Sequence, residues 1–271
     1  MTSTTWREPP RRIPRLALTE TWQARDLITL FTIRDFKLRY VQTVMGPIWV
    51  LLQPLAPSLL FLFVFTEVAP VDTQGVPYLV LITAAIAPWN AINRAVQKGG
   101  TSLIYERSLL TKVYFPRLVL PVSAVMSSLI ELGVSLAIAL VVALAKGIDP
   151  TFRWFALIPF ALLTMVVALA AVVIIAAATV RRRDIVHLSA FVMQIWFFCS
   201  PIVYPSLPAK YRSVASWNPM VLLADGFRYC IAGTAAPSAT EVAKGLIGTT
   251  TALLLGLYGF KLAERDIADV L

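Results

Sequence analysis

One carboxylate, Glu131, stands in the middle of an apolar run, SSLIELGVSL. An ionisable group at the centre of a membrane span costs at least about 2.5 kcal/mol on insertion scales when unpaired. Glu131 must therefore face the protein interior, a water-filled path, or a partner such as an arginine or a glutamine. Two roles fit it: a channel or gating residue, or a structural hydrogen bond between helices. A proton relay would want a second carboxylate at mid-span, and Glu67 falls at a span end.

The other reactive side chains form no recognised constellation. His187 is the single histidine, and Cys199 and Cys230 have neither CxxC spacing nor a histidine beside them. A zinc site needs about four nitrogen or sulfur ligands, so no metal is expected. A Cys199–Cys230 disulfide is open from spacing alone, although Cys199 sits within an apolar run. The phosphate-cradling run G-x-x-x-x-G-K-[ST], whose backbone N–H groups and lysine hold nucleotide phosphates, does not occur in the sequence. The chain is thus not expected to hydrolyse ATP by that route or to bind a cofactor. Asp225 and Glu241 stand out late in the chain, and Asp225 can pair with Arg228 three residues on along one helix turn.

The elements that position these groups follow from composition. Of 271 residues, 58% are hydrophobic and 14% charged, against roughly 45–50% and 25% in soluble domains. A bilayer crossing needs about 20 mostly apolar residues. Six candidates satisfy this, at about 47–68, 77–96, 118–145, 154–180, 186–205 and 243–262. The second and fifth are the shortest and richest in polar residues and proline. The first run begins too far in for a secretory signal of about 15–30 residues, and it is read as a retained span.

Lysine and arginine collect on one side of these spans, eighteen against six. Basic residues accumulate in cytoplasmic loops, which places both termini in the cytoplasm and leaves 206–242 as the long outer segment. The same asymmetry explains the net charge of +9 without nucleic acid. The organisation expected is a tail at 1–21, an interface helix at 22–44 and one transmembrane domain at 45–271.

Trp22 to Tyr40 is free of proline and glycine and can be helical. At about 100° per residue, Leu27, Phe31 and Leu38 cluster, but Arg34 and Asp35 fall in the same arc. Ile33, Phe36 and Tyr40 form a second apolar group. Such poor amphipathicity suits a helix wedged between lipid headgroups and another protein better than one lying on lipid alone. In GGTSLIYERSLLTKVYFPR, residues 99–117, a short helix would offer Leu103, Leu109 and Leu110 for docking, with Thr101 or Ser102 as its cap. Tyr105, Glu106 and Arg107 lie beside them; the alternative is a solvated loop. Trp49, Phe61, Phe63 and Phe65 in the first span, and Trp196, Phe197, Phe198 and Tyr204 in the fifth, either line a path along which apolar sugar faces slide or serve packing and lipid contact. Prolines 47, 54, 57, 77, 88, 201 and 205 interrupt the spans, as static shape or as hinges.

Four stretches taken together resemble one family. They are RDFKLRYVQTVMGPIWVLLQP at 34–54, KVYFPRLVLPVSAV at 112–125, RRRDIVHLSAFVMQIWFFCSPIVYP at 181–205 and SWNPMVLLADGFRY at 216–229. In this order they resemble the ABC-2 type permeases that export polysaccharides, O-antigens and teichoic acids. The resemblance implies an all-α integral membrane protein with six transmembrane helices, an interface helix at 22–44, a cytoplasmic coupling helix within 99–117 and re-entrant outer helices before the last span. It implies a homodimer with two separate ATPase subunits that carry ATP and Mg, and a lipid-linked glycan as cargo.

Carried onto this sequence, coupling to the ATPase would fall to Leu103, Tyr105, Glu106, Arg107, Leu109, Leu110, Arg34 and Arg39. The path would involve Trp49, Phe61, Phe65, Glu131, Trp196, Phe197 and Tyr204, and the outer gate Trp217, Asn218, Asp225 and Arg228. Other classes remain: a permease for a small lipid or drug, a membrane glycosyl-transfer enzyme, which would want paired outer carboxylates or a metal motif, and a secondary transporter, which would show repeats or intramembrane ion ligands.

Overall fold

The computed structural model describes residues 18–40, 48–106, 109, 115–182, 184–205 and 207–270. These residues form helices and no strand. The interface helix is broken in two: α1 covers Leu18–Gln23 and α2 Arg25–Tyr40. Residues 41–44 of the expected helix lie outside the described residues. The first span is α3, Ile48–Phe63, which runs on through a π turn at Val64–Val68. Pro54 and Pro57 lie within α3, and Ser58 between α3 and its neighbours is fully buried, its hydroxyl returned to the Pro54 carbonyl at 2.7 Å.

The second span is α4, Tyr78–Gly99. It is the hub of the molecule: most of its residues are buried, whereas few of those in the first span are. Small residues at Ala84, Ala85, Ala87, Ala91 and Ala95 leave no exposed surface, which lets neighbouring helices approach it closely, as membrane helices do at small side chains. A four-residue helix, α5 at Ser102–Tyr105, follows. Then come α6 at Val119–Ala145 and, after a 3-10 turn at Phe152–Ala156, α7 at Leu157–Arg181. These match the third and fourth expected spans closely.

The fifth expected span, 186–205, is not one helix. Helix α8 covers only Ile185–Phe198. Its 14 residues rise about 21 Å, short of the ~30 Å hydrocarbon layer. The helix ends because Pro201 and Pro205 lack an amide N–H and disfavour helical geometry before them. Five helices, not six, are long and apolar enough to cross a membrane among the described residues. Two further helices follow, α9 at Ala209–Ala215 and α10 at Pro219–Ala232. The last, α11 at Ala239–Val270, is longer than expected at both ends.

α4 packs most extensively on α6, and α7 on α11, with α10 inserted against α4, α7 and α11. α10 is nearly enclosed, with Met220, Leu223, Ala224 and Phe227 at zero exposure. It turns back at Gly233, whose φ of 71° is left-handed and favours glycine. Two glycines permit this packing. A Cβ on Gly226 would stand 2.2 Å from Phe160, and one on Gly248 would stand 2.5 Å from the Trp217 carbonyl. Phe160 is itself fixed against the Phe227 ring at 6.0 Å. Gly226→Leu should therefore destabilise the bundle by about 1–3 kcal/mol, read as a lower thermal midpoint of the detergent-solubilised chain.

Candidate functional site

Three polar centres interrupt this apolar bundle. The first joins the interface helix to the loop after α4. Asp35 on α2 is buried and pairs with Lys98 at the end of α4 at 2.8 Å. Arg34 contacts Asp35 at 3.2 Å and Glu106 at 2.5 Å. Its guanidinium also lies 4.9 Å over the Phe31 ring. Burial opposes charge on Arg34, but the hydrogen bond to Glu106 and the fields of Glu106 and Asp35 outweigh it and hold its pKa above the ordinary value. Phe31 anchors the helix below, 5.9 Å from Phe115 in a second hydrophobic cluster with Leu103, Leu118 and Phe260. The poor amphipathicity of α2 now has a reason: the charges within its apolar arc have partners on the same protein.

Thr101 does not cap α5. Its hydroxyl bonds backwards to the Gln97 and Lys98 carbonyls, closing the end of α4 instead. Ser102 likewise returns to Gly99. Leu103 is buried in the chain's own core, and Leu109 packs against the same cluster. Tyr105, 74% exposed, projects away from it. Arg107 and Leu110 lie outside the described residues, as do the side chains of Arg39 and Trp49.

The second centre lies between α3, α4 and α6. Glu131, on the α6 face, meets the Arg94 guanidinium at 3.8 Å. Arg94 in turn donates to Gln53 of α3 at 2.9 Å. The group placed by its cost alone thus has an arginine partner on a neighbouring helix. A cavity of about 210 Å³ opens here, lined by polar side chains of all three helices.

The third centre is on the opposite end. Arg228 on α10 is 2% exposed. Its guanidinium donates to the carbonyls of Ile202 at 2.8 Å, Pro205 at 3.2 Å and Leu81 at 3.2 Å. Asp225 stands 3.9 Å away, one turn back. The Tyr78 hydroxyl donates to the Val203 carbonyl at 2.5 Å. Backbone freed where α8 stops is thereby satisfied from α4 and α10, the condition for irregular chain at membrane depth.

Asn218 adds a further tie. Its side-chain oxygen caps α10 at the Met220 amide and accepts from the Trp196 indole at 2.9 Å, while its amide donates to Ser200. Asn218→Ala should cost about 1–2 kcal/mol through the lost cap and orphaned indole, measured as a shift in the unfolding midpoint. Arg212 of α9 binds both Asp225, at 3.2 Å, and Glu241 of α11. The bond to Glu241 raises the Arg212 pKa, which burial opposes and Asp225 further supports.

The aromatic residues of the first span and of α8 converge. Phe61 lies 6.0 Å from Phe197, and Phe65 stacks on Tyr78 at 5.7 Å. Trp89 of α4, which sequence reasoning passed over, meets both Trp196 at 5.7 Å and Phe197 at 5.3 Å. Tyr204 bonds to the Phe198 carbonyl. Trp217 is half exposed, as are Phe63 and Phe198. Cys199 and Cys230 are free thiols, one exposed and one buried. Among the described residues, no group of three histidine, cysteine or acidic side chains forms a metal site.

Residues 26–232 match the family model described as ABC-2 type transporter. The chain is 30% identical over 213 residues to the O-antigen export system permease protein RfbA of Myxococcus xanthus, covering 77% of this chain and 81% of that protein. It is 25% identical to the permease of the same name from Klebsiella pneumoniae over 72% of this chain and 76% of the relative. With a multi-pass helical bundle and a family match across most of its length, the chain belongs to the ABC-2 type transporter family and is a transport subunit that works with ATPase subunits.

Proposed function

We propose that this chain is the membrane half of an ATP-driven exporter that moves a lipid-linked polysaccharide, of the O-antigen class, across a bacterial plasma membrane. Two copies form the membrane unit, and each binds a separate ATPase subunit that carries ATP and Mg. Both termini face the cytoplasm, and the single transmembrane domain follows the interface helix. The observation that carries this reading is the similarity to O-antigen permeases over about four-fifths of their length.

Three features support the mechanism. The sparsely buried α3 and α8 expose Leu59, Leu60, Phe63, Phe191, Ile195 and Phe198, an apolar face suited to a second copy and to lipid. Tyr105, beside the Arg34–Glu106 pair, projects where an ATPase would dock. A push on that loop reaches α2 and α4 through Arg34, Asp35 and Lys98, and α4 packs on α3, α6, α7, α8 and α10.

Purification of the tagged chain from its host in mild detergent, followed by native mass spectrometry, tests this assembly. The expected species has two copies of this chain and two of a P-loop ATPase. A chain that comes alone, in detergent and in lipid discs, contradicts it.

A further inference from the structure

The cavity between α3, α4 and α6 has a composition out of place in a membrane bundle. Gln53, Asn90, Asn93, Arg94, Gln97 and Glu131 all line it. Glu131 is twelve residues into α6 and Asn90 nine residues from the end of α4, or ~18 Å and ~13 Å along their helices. Both lie well inside a layer ~30 Å thick. Each charged side chain placed toward hydrocarbon there costs about 2.5–3.5 kcal/mol. Such a cluster is retained where its members pair with one another or meet water or a polar ligand.

We infer that this cavity is a subsite for one sugar residue of the transported glycan, an inference that rests on the exporter reading above. Charge favours a neutral polyhydroxyl ligand over an anion. Among the described lining residues the charges of Arg94 and Glu131, 3.8 Å apart, offset each other, and a phosphate would have to compete with the carboxylate. The remaining lining is mostly primary amides. An amide presents donors and an acceptor side by side, matching adjacent sugar hydroxyls, which both give and accept.

The shape agrees. Gln53 and Gln97 are exposed at the mouth, while Glu131 and Ser135 are buried at the floor. The volume of about 210 Å³ is room for about seven waters at ~30 Å³ each, close to one pyranose with its hydroxyls. The Asn90 amide nitrogen is buried in this lining and has no acceptor among the described residues. A buried donor costs free energy until it finds an oxygen, and a ligand hydroxyl in the cavity supplies one. Because Arg94 also reaches Gln53 on α3, a sugar bound here would sense the spacing between α3 and α4.

The test is photo-crosslinking in the host, with the complete exporter. A benzophenone amino acid replaces Gln97 at the mouth and, as control, Leu255, which is 64% exposed on α11. The glycan the host exports is the probe, and adducts are read as periodate-sensitive ladders on the tagged chain. A ladder at 97 and none at 255 is expected. Asn90→Leu combined with the probe at 97 should weaken the ladder about threefold to tenfold, the effect of one lost hydrogen bond. Where depletion of this chain removes the surface glycan but position 97 gives only phospholipid adducts or none, the subsite is overturned and the exporter reading stands. Where surface glycan persists after depletion, the exporter reading falls and the subsite with it.

Discussion

Arg228→Met should remove most of the folded protein from the membrane. The methionine keeps the apolar body of the side chain but not the guanidinium. The carbonyls of Leu81, Ile202 and Pro205 then lose their donor in a site only 2% exposed. Asp225 keeps Arg212 at 3.2 Å but loses its nearest cation along α10. Breaking a buried charged arrangement from one side costs about 3–5 kcal/mol, a large share of the 5–15 kcal/mol that holds a typical protein together. Fluorescence-detected size exclusion and thermal unfolding read the effect directly. Arg228→Lys should fall between the two, since one ammonium cannot serve three carbonyls on two elements as a planar fork does. If Arg228→Met unfolds within about 0.5 kcal/mol of the parent, the range of an ordinary surface change, the clamp has no role in holding residues 199–205.

Glu106→Arg should leave the fold and break the coupling. At present Glu106 closes on Arg34 at 2.5 Å with Lys98 on the far side of Asp35. Reversal at 106 places three cations around one carboxylate. The pair is partly exposed, 36% and 29%, so its direct contribution to stability is about 0.2–1 kcal/mol. Its expected weight is on transmission instead: export should fall about tenfold, equivalent to ~1.4 kcal/mol, while the unfolding midpoint stays near the parent's. The double change Arg34→Glu with Glu106→Arg restores the pair's complementarity and should recover part of the export. Equal loss in the single and double variants would show that Glu106 acts independently of Arg34.

The limits of the sequence reading have physical causes. Five of the six expected spans coincide with helices long enough to cross because twenty apolar residues have few alternatives in a bilayer. The fifth failed on Pro201 and Pro205, whose spacing was visible but whose consequence depends on Arg228 and Tyr78 donating to the freed carbonyls. Asp225 and Arg228 were paired from their spacing, and they do approach. The stronger contacts of Arg228, however, lie 23 to 147 residues away, and no local pattern encodes them.

Glu131 was placed by cost alone, and its partner Arg94 had to wait for the register of α4 on α6. Trp89 was passed over because the candidate aromatics were sought in the first and fifth spans, whereas Trp89 reaches Trp196 and Phe197 from α4. Thr101 misled because a hydroxyl before a helix can cap forwards or bond backwards, and the preceding helix α4 claimed it.

The central claim is that a surface glycan leaves the cell through this chain. Depletion of the chain in its host, with lipid-linked glycan quantified separately in the cytoplasmic leaflet and at the cell surface, tests it most directly. The account predicts that surface glycan falls while its lipid-linked form accumulates inside, and that the full-length chain restores both. Unchanged surface glycan, with no internal accumulation, would contradict it.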